Sequence, residues 1–521
     1  MFQKIYLHLQ EHAKVDQQYK DALCLLYWCS ILNPDYIQAP YLMQLTGFTR
    51  ERFNDGMRII RSFSLVDKEY SSSMSINQMT QSNISRVFPR DAKHTYLKKL
   101  SRMLQDELLS VVPGSYALFQ HRDAIMHTHW LLSNFSDIRF TNAETTGSLY
   151  VICGEYHLRI GNLNTAQQYL KQVADNSAYS EELHLSASLA LASLYETKRD
   201  YPYVRQMLDS IKPPAAMLKA CFPIRYFHFR LTEAYLYEDL EIAAMCEQAA
   251  KEAAAQLENM KKEGLSEEEI LEYQMELGNI KGHILYQKGD YTAAEKQYRD
   301  ITESSLTKVP AYAHAKVNLG RLQIELSESN EDTLRSLEEA AALLTELYGK
   351  TPHPDIAFAS NGLGWYYSSC TGQECAKEAA RQLHKSLDIV LNQLKLKNHV
   401  LVSLNYTLLA KLHWQMSENA VEKGEKTEHY KKVDQYCNEG LKAIEHSMIP
   451  SERTVLVPPL LYYKFTALCY LRRFSEISQS SRETKQLLSK IETPGNRSQC
   501  RLIRVLLLYA KLKCLISKIK K

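Results

Sequence analysis

The chain has 521 residues, 45% hydrophobic and 24% charged, the make-up of a globular protein with room for a large core or several smaller ones. A formal net charge of +3 sets up no global field to recruit nucleic acid or a membrane, and no apolar run approaches the roughly 18 residues of a spanning helix. Only 18 glycines and 15 prolines interrupt the chain while tyrosine reaches 33, so helix is expected throughout.

The first region, 20–88, opens with ALCLLYWCSIL (22–32), nearly all apolar and read as a buried helix that Asn33, Pro34 and Asp35 break. IQAPYLMQLTG (37–47) reads as a second helix ending at Gly47. Thr49 then caps a third, RERFNDGMRIIRSFSLV, with Glu51 in its first turn and Phe53, Met57, Ile60 and Phe63 on one face. LVDKEYSSSMSINQM suits a two-stranded wing with a serine-rich tip, and NQMTQSNISRVF a last helix before Pro89. Three helices and a wing describe a winged-helix domain over 1–89. A helical connector, broken at Pro113-Gly114, is expected over 90–142.

Helical hairpins are expected over 143–497. Their clearest copy is GHILYQKGDYTAAEKQY, Gly282 to Tyr298, with small residues at Gly282, Gly289 and Ala294 and bulky ones at Tyr291 and Tyr298. Two antiparallel helices that touch closely need a small residue at the crossing, a turn glycine and large side chains around it. Gly154, Gly161 and Ala166 keep the same offsets, and Ala192, Tyr195, Tyr201 and Leu208 hold the packing positions of the next copy. Five further first-helix segments, beginning near Phe227, Ala311, Asp355, Ser403 and Tyr462, bring the expectation to about eight hairpins. NMKKEGLSEEEILEY (259–273) reads as a charged, exposed insertion, and 498–521 as a helix that caps the stack.

These spacings resemble tetratricopeptide repeats, which implies an all-α protein built on a right-handed superhelix (an α-solenoid) that grips a peptide or protein along its concave groove. YGKTPHPDIAFASNGLGWYY (348–367) is similar to the longer repeats of kinesin light chain type, through His353, Pro354, Asp355, Asn361 and Leu363. The N-terminal region resembles the winged helix of NB-ARC (STAND) signalling ATPases at Leu25, Leu26, Ile31, Leu32, Pro34, Asp35, Ile37, Leu65, Ile76 and Gln81. No G-x-x-x-x-G-K-[ST] loop accompanies it, so no backbone cradle for phosphates is expected and ATPase activity does not carry over.

Every first helix presents its second, fifth, ninth and twelfth positions on one face, which in this repeat class lines the groove. That face yields the candidate site: Asn279, His283 and Tyr286; His314 and Arg321; Asn361 and Trp365; Asn405, Lys411 and Trp414. Asparagine amides suit a peptide backbone, the aromatics supply anchoring area, and Arg321 with Lys411 would favour an acidic segment or a C-terminal carboxylate. The expected role is a non-enzymatic adaptor or sensor, with no cofactor, metal or small-molecule substrate. One alternative is a DNA-binding regulator whose repeats sense a peptide. Another is the sensor half of a STAND-type ATPase served by a separate nucleotide-binding chain.

Catalytic motifs such as G-x-S-x-G and H-E-x-x-H are absent. His127 and His129 point to different sides of a helix, against a metal site with His121. Arg50, Arg52, Arg58 and Arg61 on the third helix are interrupted by Glu51 and Asp55, so nucleic-acid binding there is not expected. The 11 cysteines stand singly on apolar faces, as buried reduced thiols do, and Cys370 and Cys375 have no matching second pair. With a start too polar for a signal peptide, a cytoplasmic protein is expected.

Overall fold

A computed structural model describes residues 2–66, 68–70, 73–109, 111, 116–135, 143–211, 219, 222–262, 265–445, 447–450 and 452–519. Among these residues the chain forms 24 α-helices and three short strands. It divides into two compact units, Met1–Arg159 with Leu163–Ala190, and Ile160–Asn162 with Leu191–Lys521.

The first unit runs α1 (Phe2–His12), α2 (Gln17–Cys29), β1 (Ile37–Gln38), α3 (Ala39–Thr46), α4 (Arg50–Ser62), β2 (Lys68–Tyr70), β3 (Ser73–Ser75), α5 (Gln78–Val87), α6 (Arg90–Leu108), α7 (Arg122–Asn134), α8 (Ala143–Arg159) and α9 (Leu163–Ala174). Thr49 caps α4 by accepting from the Arg52 N–H, and Gly47 closes α3 with a left-handed φ of 71°. Phe53, Met57 and Ile60 are buried as their spacing requires, while Phe63 falls just past the helix end. Ile37 and Gln38 leave the expected second helix to become a strand. Ile37 is fully buried opposite Met74, and the pair joins β1 to the hairpin in an antiparallel sheet ordered β1-β3-β2. A short apolar run cannot distinguish a helical turn from a buried strand; the cross-strand partner decides it. The tip of the expected wing, 71–72, and the Pro113-Gly114 break lie outside the described residues.

α10 (Glu181–Thr197) follows, then α11 (Tyr201–Ile211), α12 (Pro223–Asp239), α13 (Ala243–Lys262), α14 (Glu267–Gln287), α15 (Tyr291–Thr302), α16 (Pro310–Glu325), α17 (Glu331–Tyr348), α18 (Pro354–Ser369), α19 (Gln373–Leu387), α20 (Val400–Asn419), α21 (Lys423–Ile444), α22 (Val457–Tyr470), α23 (Phe474–Ile491) and α24 (Arg497–Ile519). From α8 to α23 these are eight successive helical pairs, matching the hairpin count expected from sequence.

One turn recurs. Arg199, Glu241, Gly289, Ser327 and Arg472 each adopt a φ between 57° and 79° directly after a first helix. The next residue's N–H then bonds back five residues, as from Asp290 to Leu285 O (3.0 Å) and from Glu328 to Gln323 O (2.8 Å). These are Schellman closures, and four of the five use a non-glycine residue, which a search of the sequence for turn glycines passes over. The crossings are as close as the small residues require. A methyl group on Gly154 would sit 2.6 Å from Leu170, on Gly282 2.5 Å from the Tyr298 ring, on Gly320 2.9 Å from Leu337, and on Gly364 2.6 Å from Leu383. Ala294 and Tyr298 are buried beside them, but Tyr291 lies at the surface, its ring 5.6 Å from that of Tyr286.

The segment 259–273 is not an insertion. Met260 is buried at the end of α13, and Ser266 caps α14 through a capping box with Glu269. Tyr273 then buries completely against Phe227, with ring centroids 4.7 Å apart. The charges that made the stretch look solvated are a first turn (Glu267, Glu268 and Glu269) complementing the helix dipole.

Candidate functional site

The three asparagines of the candidate face do not point at solvent. Asn279 is 8% exposed and Asn361 and Asn405 are 0% exposed. Asn279 donates to Ala311 O at 2.8 Å. Asn361 Nδ2 donates to Asn405 Oδ1 (2.9 Å), Asn405 Nδ2 donates to Ser386 Oγ (2.8 Å), and Ser386 donates to Ala357 O (2.8 Å). A short amide at these positions lies where consecutive first helices pack together, so its N–H donates to a neighbouring helix, and the Asn279 and Asn361 Oδ1 atoms, which have no partner among the described residues, are buried out of a ligand's reach. These residues are fasteners between repeats. Trp414 is partly covered by Tyr462 and Tyr463, with centroids 6.2 and 5.3 Å away, and Lys411 is half-buried on the same helix.

His283, Tyr286, His314, Arg321 and Trp365 remain half-buried and are linked through their neighbours. Arg321 is the centre. Its guanidinium lies 4.8 Å from the Phe358 ring centroid and 5.4 Å from that of Trp365, two cation–π contacts that fix its plane. No carboxylate or hydrogen-bond acceptor reaches it among the described residues, and burial lowers its pKa. His314 stands 6.2 Å from Phe358 in an edge-on contact and 3.1 Å from Asp355. On the other side, Tyr286 donates to Glu325 and packs 5.9 Å from His283.

Sequence reasoning missed the acidic part of this region. Arg199 is held by Glu196 (3.2 Å) and Asp239, and Glu238 lies 3.5 Å from His283. Burial pushes Glu238 up to about 8 against the pull of Arg199, and it raises Glu196 as well. Burial, with the charges of Arg321 and Arg199, pushes His283 down to about 4. His314 is raised, because Asp355 more than offsets its burial, and Asp355 is held well below the carboxylate range between His314 and His353. A usable signal was present: Glu196, Glu238 and Tyr286 each stand three residues before the left-handed turn residue, so the last turn of successive first helices supplies the same place.

The other motifs resolve into local structure. His121 pairs with Glu107 at 3.0 Å, His127 accepts from the Asn33 N–H at 3.1 Å, and His129 bonds Tyr169 at 2.7 Å: three separate contacts. On α4, Arg52 grips Asp21 through two hydrogen bonds of 2.9 and 2.6 Å, and Arg58 pairs with Asp55 at 3.0 Å. Among the described residues no helix is long and apolar enough to cross a membrane.

No protein-family model matches the chain, and no curated protein does. Among solved structures, the chain is similar to a Signal Transduction ATPase with Numerous Domains (STAND) protein with a tetratricopeptide repeat sensor from Pyrococcus horikoshii. The identity is 12% and the TM-score 0.47, over 94% of this chain and 66% of that one. It is also similar to UNC-45 from Drosophila melanogaster at 13% identity and a TM-score of 0.22, over 95% of this chain and 81% of that one. The chain thus spans just under two thirds of the STAND protein's length.

Proposed function

We propose that the second unit is a protein-interaction scaffold whose helical pairs wind into a right-handed tetratricopeptide-like superhelix, and that it binds an extended acidic peptide segment along the concave face. The observation that carries this reading is Arg321, an arginine stacked on Phe358 and Trp365 and left without an acidic partner among the described residues. A guanidinium whose plane is already fixed loses little freedom on meeting a carboxylate and offers it two parallel N–H bonds. Trp365 and His314 add contact area on either side, while the buried asparagines hold the first helices in register. The first unit, with its helices, three-stranded sheet and hairpin, is read as a winged helix of the kind in STAND proteins, here a second docking surface.

The test is fluorescence anisotropy of labelled peptides rich in aspartate and glutamate, titrated with the full chain. Arg321→Ala and Arg321→Lys are expected to weaken binding about tenfold or more, since a desolvated charged hydrogen-bonded pair is worth roughly 1.5–3 kcal/mol. Circular dichroism would stay unchanged. Equal binding by wild type and both variants would exclude this face.

A further inference from the structure

Between Tyr70 and Asp106 the sequence carries six lysines and arginines against a single carboxylate, Asp91. Net charge over the whole chain hides this concentration; the fold of the first unit displays it. α5, α6 and α7 line a cleft of about 1930 Å³. That is larger than the roughly 300–1,000 Å³ typical of a small-molecule site, and suits a length of polymer.

Along α6, Arg90, His94, Lys98 and Arg102 line the cleft and recur every fourth residue on one ridge, each about 6 Å further along the axis. All four are exposed, and Arg86 joins them from α5. Arg86, Arg90, Lys98 and Arg102 have no carboxylate partner among the described residues, unlike Arg52 and Arg58 of α4. Two other lysines are already engaged. Lys93 donates to Ser85 Oγ (2.6 Å) and lies 5.3 Å over the Phe135 ring, and Lys99 donates to Leu45 O (2.6 Å). The α7 side of the cleft brings two aromatic side chains, Trp130 and Phe135, and the Trp130 indole N–H is buried with no acceptor among the described residues.

We propose that this cleft binds single-stranded nucleic acid, with phosphates on the Arg90–Lys98–Arg102 ridge and Arg86, and bases against Trp130 and Phe135. A row of cations without carboxylate partners among the described residues, in a cleft whose lining includes one carboxylate, Asp91, suits a backbone with one charge per repeat, and the aromatic planes suit bases free of a complementary strand. An acidic peptide would use the cations but not the rings.

Fluorescein-labelled oligo(dT) and oligo(U) of ~12 nucleotides, titrated with the full chain over a salt series, test this. Four phosphate contacts at about 0.7 each predict a log–log salt slope near −3. The triple variant Arg90→Glu/Lys98→Glu/Arg102→Glu should weaken binding by about 30-fold or more and flatten the slope by about 2. The milder Arg86→Ala/Lys98→Ala, at two exposed positions, should flatten it by about 1.4 if the triple variant fails to fold. Arg58→Glu on α4 should change affinity less than about twofold. Tighter binding of either oligonucleotide identifies RNA or DNA, and both support the proposal. It is overturned by no binding at ~50 mM salt, by equal loss with Arg58→Glu, or by equal competition from duplex DNA or polyglutamate at matched charge.

Discussion

Gly282→Ala should destabilise the fourth helical pair even though alanine is the better helix former. Gly282 lies inside α14, where replacing glycine gains about 1 kcal/mol of helix propensity. The added methyl would stand 2.5, 2.8 and 3.0 Å from three atoms of the Tyr298 ring. That ring is 2% exposed and has no room to swing, so the cost belongs with overpacking at about 1–3 kcal/mol and more, at the upper end for contacts this short. The expected net loss is about 1–2 kcal/mol. Gly424→Ala is the matched control, since a methyl there meets nothing within 4 Å, and it should be neutral or stabilising by up to about 1 kcal/mol. Repeat arrays open locally, so native-state hydrogen exchange is the assay. Amides of α14 and α15 should exchange about 5–30 times faster in Gly282→Ala and no faster in Gly424→Ala. In a Tyr298→Leu background, which shortens the obstructing side chain, Gly282→Ala should cost less than about 0.5 kcal/mol. Protection in Gly282→Ala equal to or above that of wild type would refute the close-crossing argument for the whole array.

Two further outcomes follow from buried polar groups. Asn405→Ala removes the middle of the Asn361–Asn405–Ser386 chain, stranding the Asn361 Nδ2 donor and taking from Ser386 Oγ the bond it accepts, in a fully buried place, so a loss of about 2–4 kcal/mol in urea unfolding is expected; a loss under about 0.5 kcal/mol would show that the chain is not a fastener. Burial raises the folded pKa of Glu238 from its ordinary 4.5 to about 8, so its contribution is complete below about pH 4.5 and is lost as pH rises towards 8. Glu238→Gln, which keeps the neutral shape, should therefore match wild type near pH 4.5 and exceed it by roughly 1–3 kcal/mol near pH 8.5; a constant difference across that range would place the shift elsewhere.

The local rules were legible where one residue acts on its own helix. The Thr49 cap, the Gly47 stop and the buried stripe of α4 stand where spacing puts them. The recurring small residues announced the close crossings, because nothing larger than hydrogen fits against Tyr298 or Leu383. What failed locally was the reading of charge as exposure. The glutamates at 267–269 serve a helix start, and their neighbour Tyr273 is among the most deeply buried side chains of the second unit.

The candidate face divides along the same line. Periodicity alone placed Arg321 and Trp365 on one surface, since residues at fixed spacing share a helix face whatever the helix packs against. Whether a position on that surface faces a ligand or a neighbouring helix is a property of two helices, and one helix's sequence does not contain it. Only the packing of α18 against α20 turned Asn361 inward, onto an amide 44 residues away. Only the tertiary fold gathered Arg199, Glu238 and His283 from three different helical pairs, and in the first unit spread six scattered cations along a single cleft.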